Sequence, residues 1–576
     1  MNRESEIHFS SLPNIETKRS KFHRPFTHKT TFNCGEIIPI YTDADIMPGD
    51  TVQMDLGAII RESTPIAPVM DNAYIDVFAF FVPSRLVWSH QAEFWGENNL
   101  TAWEQPIEYE IPQVNAPEAG WEKGSLADYM GIPTNIPGRT QANPNGLHVN
   151  ALPGRAYCKI YDDWFRSTPL QDGVLFNEDE TTLTGKNKSD PDYDAITDTQ
   201  LYAAPLKACK FHDRFTSCLP EPQLGPAVEL PIAGTSVAEV YAGLPREMGA
   251  VGNPANPDGT WNINYQYVEG NPAGDTWKEF TGYQQHNLYT YNGVGMASSV
   301  QGAQAGVYIT PNNLYADLGE LNSSNTINQL RTSIAIQQYQ EALARAGGGR
   351  YIDIIKALFN VDSSDARLQR SEYLGGFRQP INMDQVLQTS STDATTPQGN
   401  TAAFSCTALN ENMFIHSFEE WGTLMVLAVI RTDNTYQQGL HPMWSRQKRL
   451  DFYNPYLANL GEQAVKVKEI YCQGTSDDEN IFGYQEAWSE LRYGQSMVTG
   501  AMRSNYAQSL DVWHYADYYT SEPILSSDWI QEQQTNVDRT ISVQSQIENQ
   551  YIADFYFKAN YTRPMPAYSV PGLARL

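Results

Sequence analysis

Two runs of this chain, "AYIDVFAFFVP" (73–83) and "GTLMVLAVIRT" (422–432), are apolar at almost every position. A strand with no polar face is one covered on both sides, so these runs constrain the fold more than any other feature. Half-buried strand signals lie beside them. In "TVQMDL" (51–56), Val52, Met54 and Leu56 alternate with polar partners. "TTFNCGEIIPIY" (30–41) is β-rich with a glycine break, and Pro48, Gly49 and Asp50 supply turn chemistry before the next strand. Near the end, "YIADFYFKANY" (551–561) is rich in aromatic and β-branched residues. The closing "TRPMPAYSVPGLARL" carries three prolines and is expected to run extended along a surface. Forty glycines, 34 prolines and 33 tyrosines in 576 residues also favour strands and turns. Length alone suggests roughly three or four domains, a rule that large β folds with long insertions break.

Helical periodicity appears in the middle of the chain. In "TINQLRTSIAIQQYQEALARA" (326–346), Ile336, Tyr339, Leu343 and Ala346 recur at three- and four-residue steps. In "RYIDIIKALFN" (350–360), Tyr351, Ile354, Ile355, Leu358 and Phe359 trace one apolar helix face. The glycines 347–349 between them raise the question of a phosphate loop. Such a loop needs G-x-x-x-x-G-K-[ST] after a strand, whereas here Gly349 leads to Arg350 and Tyr351 after a helix. "AGGGR" therefore reads as a corner between two helices, flanked by Arg345 and Arg350.

No other constellation carries chemistry. "TGKNKS" (184–189) has no glycine five residues before Gly185, and no Ser or Thr follows its Lys186. Gly494 and Ser496 begin like a nucleophile elbow, but Val498 replaces the closing glycine. No H-E-x-x-H occurs, and pairs such as Asp162–Asp163 and Glu419–Glu420 are common in so acidic a chain. No catalytic residue, metal ligand or cofactor site is expected. The six cysteines are too widely spaced for a zinc or redox motif and are expected to be buried free thiols.

The net charge of −28 argues for solubility and against nonspecific binding to nucleic acid or anionic membrane. The start has no secretory pattern, and the longest apolar run, Leu424 to Ile430, is far below the roughly 20 residues a membrane span needs. The chain is expected to be soluble, made in a cytoplasm and not inserted in a membrane. One segment opposes the overall charge. "ETKRSKFHRPFTHK" (16–29) sets Lys18, Arg19, Lys21, Arg24 and Lys29 around Phe22 and Phe26, with only Glu16 opposing. Cations with interleaved rings suit single-stranded nucleic acid, and a solvated arm docking its phenylalanines on a neighbour is the alternative. From about 89 to 230 the chain reads as loop. Residues 231–311 are looser still, with Trp and Tyr that suit either surface recognition or a small space-filling β subdomain.

Specific strings then outweigh composition. "SKFHRPFTHKTTF" (20–32), "TPIAPVMDN" (64–72), "FFVPSRLVW" (80–88) and "KFHDRFTSCLPEPQLGP" (210–226) resemble the major capsid protein of gokushoviruses. These are small single-stranded DNA bacteriophages of the Microviridae. The resemblance continues in order through "NNLYADL" (312–318), "TINQLR" (326–331), "DARLQRSEYLGG" (365–376) and "TYQQGLHPMWSR" (435–446). It closes with "FGYQEAWSELRY" (482–493), "NVDRT" (536–540) and "RPMPAYSVPGL" (563–573). The third glycine of "AGGGR" departs from the shorter pair usual in that family.

The resemblance implies a mainly β fold, an eight-stranded antiparallel jelly roll with long loop and helical insertions. Residues 1–30 would be a basic arm and 31–576 one capsid domain, with a threefold surface protrusion at 231–311 and a helical insertion at 326–360. Strands at 30–83 and 422–561 would pair across the long middle. It implies no enzyme and no cofactor. Sixty copies, through pentamers, would form a T=1 virion shell around circular single-stranded DNA, made in a bacterial host's cytoplasm. An internal scaffolding protein, a small basic DNA-binding peptide, a DNA pilot protein and a host surface receptor are the implied partners. Lys18, Arg19, Lys21 and Arg24 are the candidates to face DNA, and Trp261, Tyr265, Tyr267 and Trp277 to face the host. The rival from another class is an all-β extracellular glycan-binding protein or glycosidase. It would need two carboxylates at a fixed separation across a groove.

Overall fold

The computed structural model describes residues 18–568 except 99–107, 142, 227, 347–349, 391, 393–397, 400 and most of 229–326, where only short strands are described. Among the described residues the fold is mainly β. Two compact units are present, Met1–Gly225 with Tyr339–Leu576, and Pro226–Gln338.

The larger unit is built on β1 (Ser20–Phe32), β2 (Ile38–Ile46), β3 (Thr51–Glu62), β4 (Ala73–Pro83), β5 (Glu372–Pro380), β6 (Thr407–Ser417), β7 (Gly422–Thr432) and β8 (Tyr551–Arg563). They form two four-stranded sheets, ordered β1-β8-β3-β6 and β5-β4-β7-β2. Every neighbouring pair is antiparallel, so strands from both chain ends lie side by side. Alternation sets the faces. Val52, Met54, Leu56 and Ala58 of β3 join Ala553, Phe555, Phe557 and Ala559 of β8 in one buried cluster. Ile75, Val77 and Ala79 of β4, with Leu424, Val426 and Ala428 of β7, enter it from the other sheet.

The opposite face of β4 and β7 explains their unbroken apolar sequence. Phe80, Val82, Met425, Leu427 and Val429 belong to a second buried cluster with Trp88, Trp121 and Tyr157. Helix α1 (Leu152–Ile160) packs there against both strands. Its residues come from the stretch expected to be loop, and that expectation is corrected. Their apolar positions are scattered singly among Pro and Asn, so only tertiary packing assembles them. Polar atoms drawn in are satisfied: the Trp121 indole donates to the Leu201 carbonyl at 3.2 Å, and Tyr157 to Ile37 at 2.7 Å. At the rim of this sheet, the buried carboxylate of Asp76 accepts from Arg378 Nε at 2.6 Å and also pairs with Arg431. Both guanidiniums lie over the Phe211 ring.

The glycine break in 30–41 is a true one, since β1 stops at Phe32 and β2 starts at Ile38. Gly35 turns there with φ +79°, and an added Cβ would fall 2.7 Å from Glu532 Cβ. The basic arm of 1–30 is, from Ser20 onward, the edge strand β1, paired with β8 along its full length. Pro25, which has no N–H to give a ladder, is tolerated on an edge. Cys34, Cys158 and Cys218 are buried, Cys209 and Cys406 partly so, but Cys472 is exposed in a loop, which corrects the expectation for that residue.

Helices α2 (Ile327–Arg345) and α3 (Tyr351–Phe359) form where periodicity places them. The glycines between them lie outside the described residues. No residue of α3 is fully buried; Ile354 and Ile355 are half-buried, and Tyr351, Leu358 and Phe359 are exposed. In the smaller unit, Trp277–Glu279, Tyr265–Val268, Tyr308–Pro311, Met296–Ser298 and Leu288–Thr290 form an antiparallel sheet in that order. Val240–Ala242 pairs separately with Leu314–Ala316.

Candidate nucleic-acid interface

Alternation along β1 splits the basic segment between two faces. Phe22, Arg24, Phe26 and Phe32 sit opposite Tyr561, Ala559, Phe557 and Tyr551, the inward residues of β8. Lys21, His23 and Lys29 sit opposite Thr562, Asn560 and Asp554, on the outer face. Arg24 is therefore spent at the sheet margin. Its Nη1 meets Asp43 Oδ2 at 3.0 Å, and its guanidinium lies 4.8 Å from the centre of the Tyr561 ring. Arg563 covers the same ring at 4.6 Å and reaches Asp50 at 3.2 Å. The Tyr561 hydroxyl donates to Asp43 at 2.8 Å. Burial, and then the Asp43 carboxylate, push that phenol up. Burial opposes the charge on Arg24, but Asp43 outweighs it and raises its pKa. This cluster ties β1 to β2 across the open end of the sandwich.

Arg19 is also engaged, donating to the Gly49 carbonyl and, at 3.0 Å, to Thr51 Oγ1. Lys18 and Lys21 are exposed and have no ion pair among the described residues. Of the four cations put forward as DNA-facing, Arg19 and Arg24 are bound within the chain, and Lys18 and Lys21 are exposed.

Pairing gathers others that the sequence scatters. On β1, β8 and β3 the outer face carries Lys21, Lys29, Lys558 and Arg61 against Asp55 and Asp554. That cation excess stands in a chain with 39 basic and 67 acidic residues. Tyr556 on the same face lies under Lys558 Nζ at 5.9 Å. Lys29 reaches Asp554 at only 3.6 Å, and both side chains are solvated. A groove of about 690 Å³ runs beside it, with Lys29, Arg61, Lys123, Ile59 and Ile552 in its walls. Cations, an aromatic ring and a solvated face are what a sequence-tolerant single-stranded nucleic-acid surface needs. Arg61 and Lys558 escape a sequence reading because each is isolated in the chain. The available signal is the period-two pattern of β3, which turns Arg61 away from the apolar positions.

Arg345 and Arg350 are held within the chain. Arg345 Nε donates to Glu462 at 3.0 Å and its Nη1 to the Ser217 carbonyl at 3.1 Å. Arg350 donates to the carbonyls of Asp162 at 3.2 Å and Arg166 at 2.6 Å. Of the four host-facing candidates, Trp261 lies outside the described residues. Tyr265 and Tyr267 share one strand, and Trp277 opposes Val268 on the next. Among the described residues, no group of three or more His, Cys, Asp or Glu could hold a metal ion. No helix among them is long and apolar enough to cross a membrane.

Comparison with known proteins agrees along the chain. The family described as "Capsid protein (F protein)" matches residues 10–573. Capsid protein VP1 of Spiroplasma virus 4 is 40% identical over 579 residues, covering 99% of this chain and 98% of that protein. Capsid protein VP1 of Bdellovibrio phage phiMH2K is also 40% identical, over 571 residues with the same coverage. Capsid protein VP1 of Chlamydia phage 1 is 34% identical over 608 residues, again covering 99% and 98%. Similarity this high over full length makes the chain a structural major capsid protein, a component of a virion. The chain belongs to the phage capsid protein (F protein) family.

Proposed function

We propose that each chain contributes an eight-stranded jelly roll and that sixty copies close into a T=1 shell around circular single-stranded DNA. The observation that carries this reading is the pair of strand orders, β1-β8-β3-β6 and β5-β4-β7-β2. Strands from opposite chain ends interleave in both sheets, as two nested Greek keys require. The solvated outer face of β1, β8 and β3, with Lys21 in its row and Lys18 before it, supports an inward, DNA-facing role. At −28 the chain cannot neutralise a genome with its average surface. A small basic DNA-binding peptide would supply the missing charge, with an internal scaffolding protein and a DNA pilot protein completing the particle.

The segment 231–311 is the reading's host-attachment element, a threefold protrusion meeting a surface receptor, with Trp261, Tyr265, Tyr267 and Trp277 as contact residues. Sedimentation and negative-stain imaging of the expressed chain test the shell. Sixty chains of 64.7 kDa give closed particles of about 3.9 MDa. A monomer with sugar-cleaving activity would favour the glycosidase rival instead. Deleting 240–300 is expected to leave shells intact and weaken adsorption to the host, and unchanged adsorption would remove the attachment role.

A further inference from the structure

We infer that the ridge formed by residues 441–460 is a subunit contact, seated in the particle on an acidic face of a second copy of this chain. The inference rests on the shell reading above. The ridge consists of three short turns, Pro442–Trp444, Arg449–Asp451 and Pro455–Leu457, none of which buries a residue. Met443, Trp444, Leu450, Phe452, Tyr453 and Tyr456 are all large, apolar or aromatic, and exposed. Tyr456 is 96% exposed and Leu450 74%. Single exposed apolar residues are ordinary, but this many in one contiguous stretch mark an interaction surface.

The ridge is also rigid. Its backbone is pinned by Asp451, which accepts from the amides of Lys448 at 2.7 Å and Gln447 at 2.9 Å. Asn454 caps the next turn, accepting from the Tyr456 amide at 3.0 Å. The Trp488 indole holds the Leu457 carbonyl at 2.9 Å, and Arg446 is fixed on Glu490 at 2.8 Å. Tyr453 also packs edge-on against Trp488, while Trp444, Leu450 and Tyr456 are left in water. Little ordering entropy would remain to be given up on docking.

Two observations select the occupant. First, with Arg446 neutralised by Glu490, residues 441–460 present Lys448 and Arg449 against Asp451, a net positive ridge on a chain of net −28. Its electrostatic complement is the average surface of the same protein. Second, the ridge presents Trp, Tyr, Phe and Met together, residues enriched at protein interfaces, while only Lys448 and Arg449 are left to neutralise phosphate. A ridge meeting a different face of the next copy is a head-to-tail contact, which closes into rings and shells.

The full-length chain and a Trp444→Ser, Leu450→Ser, Tyr456→Ser variant are compared by sedimentation velocity, thermal melting and retained single-stranded DNA. The expected result is an unchanged melt with at least a tenfold drop in assembled particles. Normal assembly by the variant overturns the inference. So does a lowered melting temperature, which would show the ridge packed on its own chain. Normal particles with reduced DNA content would also overturn it, assigning the ridge to nucleic acid. If the unaltered chain forms no particles, the shell reading itself fails, which is a separate outcome. A Lys448→Glu, Arg449→Glu variant, altering only exposed side chains, provides a second test. Its assembly should improve as salt rises, opposite to the unaltered chain, and an unchanged salt response counts against the contact.

Discussion

The two four-stranded sheets share one core, yet only one of them is buried on both sides. In the β5-β4-β7-β2 sheet, Phe80, Met425 and Leu427 turn away from the shared core into a second one beneath α1. In the β1-β8-β3-β6 sheet, the equivalent positions are Lys29, Lys558, Arg61 and Ile552, all exposed to solvent. The doubly covered sheet gives the domain its stability, and the open one presents a surface. One substitution chemistry should therefore have opposite consequences in the two places.

The largest contrast is a charge placed at matched positions. Leu427→Asp buries an unpaired carboxylate and should cost several kcal/mol, leaving little folded protein. Ile552→Asp on the open face should change stability by less than about 0.5 kcal/mol. Thermal melts of the two variants check this, and similar losses would break the distinction. Ion pairs sharpen it further. Asp76→Ala strands two guanidiniums on the covered sheet and should cost about 3 kcal/mol. Asp554→Ala removes only the solvated partner of Lys29 and should cost under about 1 kcal/mol.

The third contrast concerns pH. Burial raises the carboxyl of Glu62, at the end of β3, to about 7, and that of Glu532, against Thr432 of β7, to about 7 as well. The native state therefore holds more protons than the unfolded chain between about pH 4.5 and 7. The stabilisation from this source is complete below about pH 4.5 and is lost as pH rises through about 7, at most about 3 kcal/mol per group. Glu62→Gln should leave the melting temperature unchanged near pH 5 and raise it near pH 8. A melting curve as steep in pH as the unaltered protein's would refute this.

The smallest effect on stability should accompany the clearest effect on cargo. Lys29→Glu, Arg61→Glu and Lys558→Glu together should leave the melt nearly unchanged while lowering the yield of DNA-filled particles. The salt dependence of DNA retention should also weaken, by roughly 0.7 in logarithmic slope for each phosphate that is no longer neutralised. Normal filling would remove the nucleic-acid role from this face.

The same asymmetry decides what the sequence reveals. β4, β7 and β8 are legible because burial leaves unbroken or alternating apolar residues. β5 and β6 are not. β5 contains Gly375 and Gly376, and an added Cβ on Gly375 would fall 2.5 Å from the Met413 carbonyl oxygen, so close packing removes the side chains a pattern needs. β6 has a register shift between Asn412 and Phe414, which interrupts its alternation. β1 reads as an arm because charge masks the alternation of Phe22, Phe26 and Phe32. The second core stays hidden because Trp88, Trp121, Tyr157 and Tyr202 meet only through long-range packing. For the candidate interface, the sequence marks the basic character of β1, but not that Arg19 and Arg24 find partners within the chain. Arg61 and Lys558 join the surface only through the pairing of β3 with β8 and β8 with β1.

Cryo-electron microscopy of purified DNA-filled particles tests most directly whether the open face of the β1-β8-β3-β6 sheet meets the genome. The expected result is a closed shell with nucleic-acid density against Lys29, Arg61 and Lys558. A shell in which that face points outward, with the DNA density lying elsewhere, would contradict it.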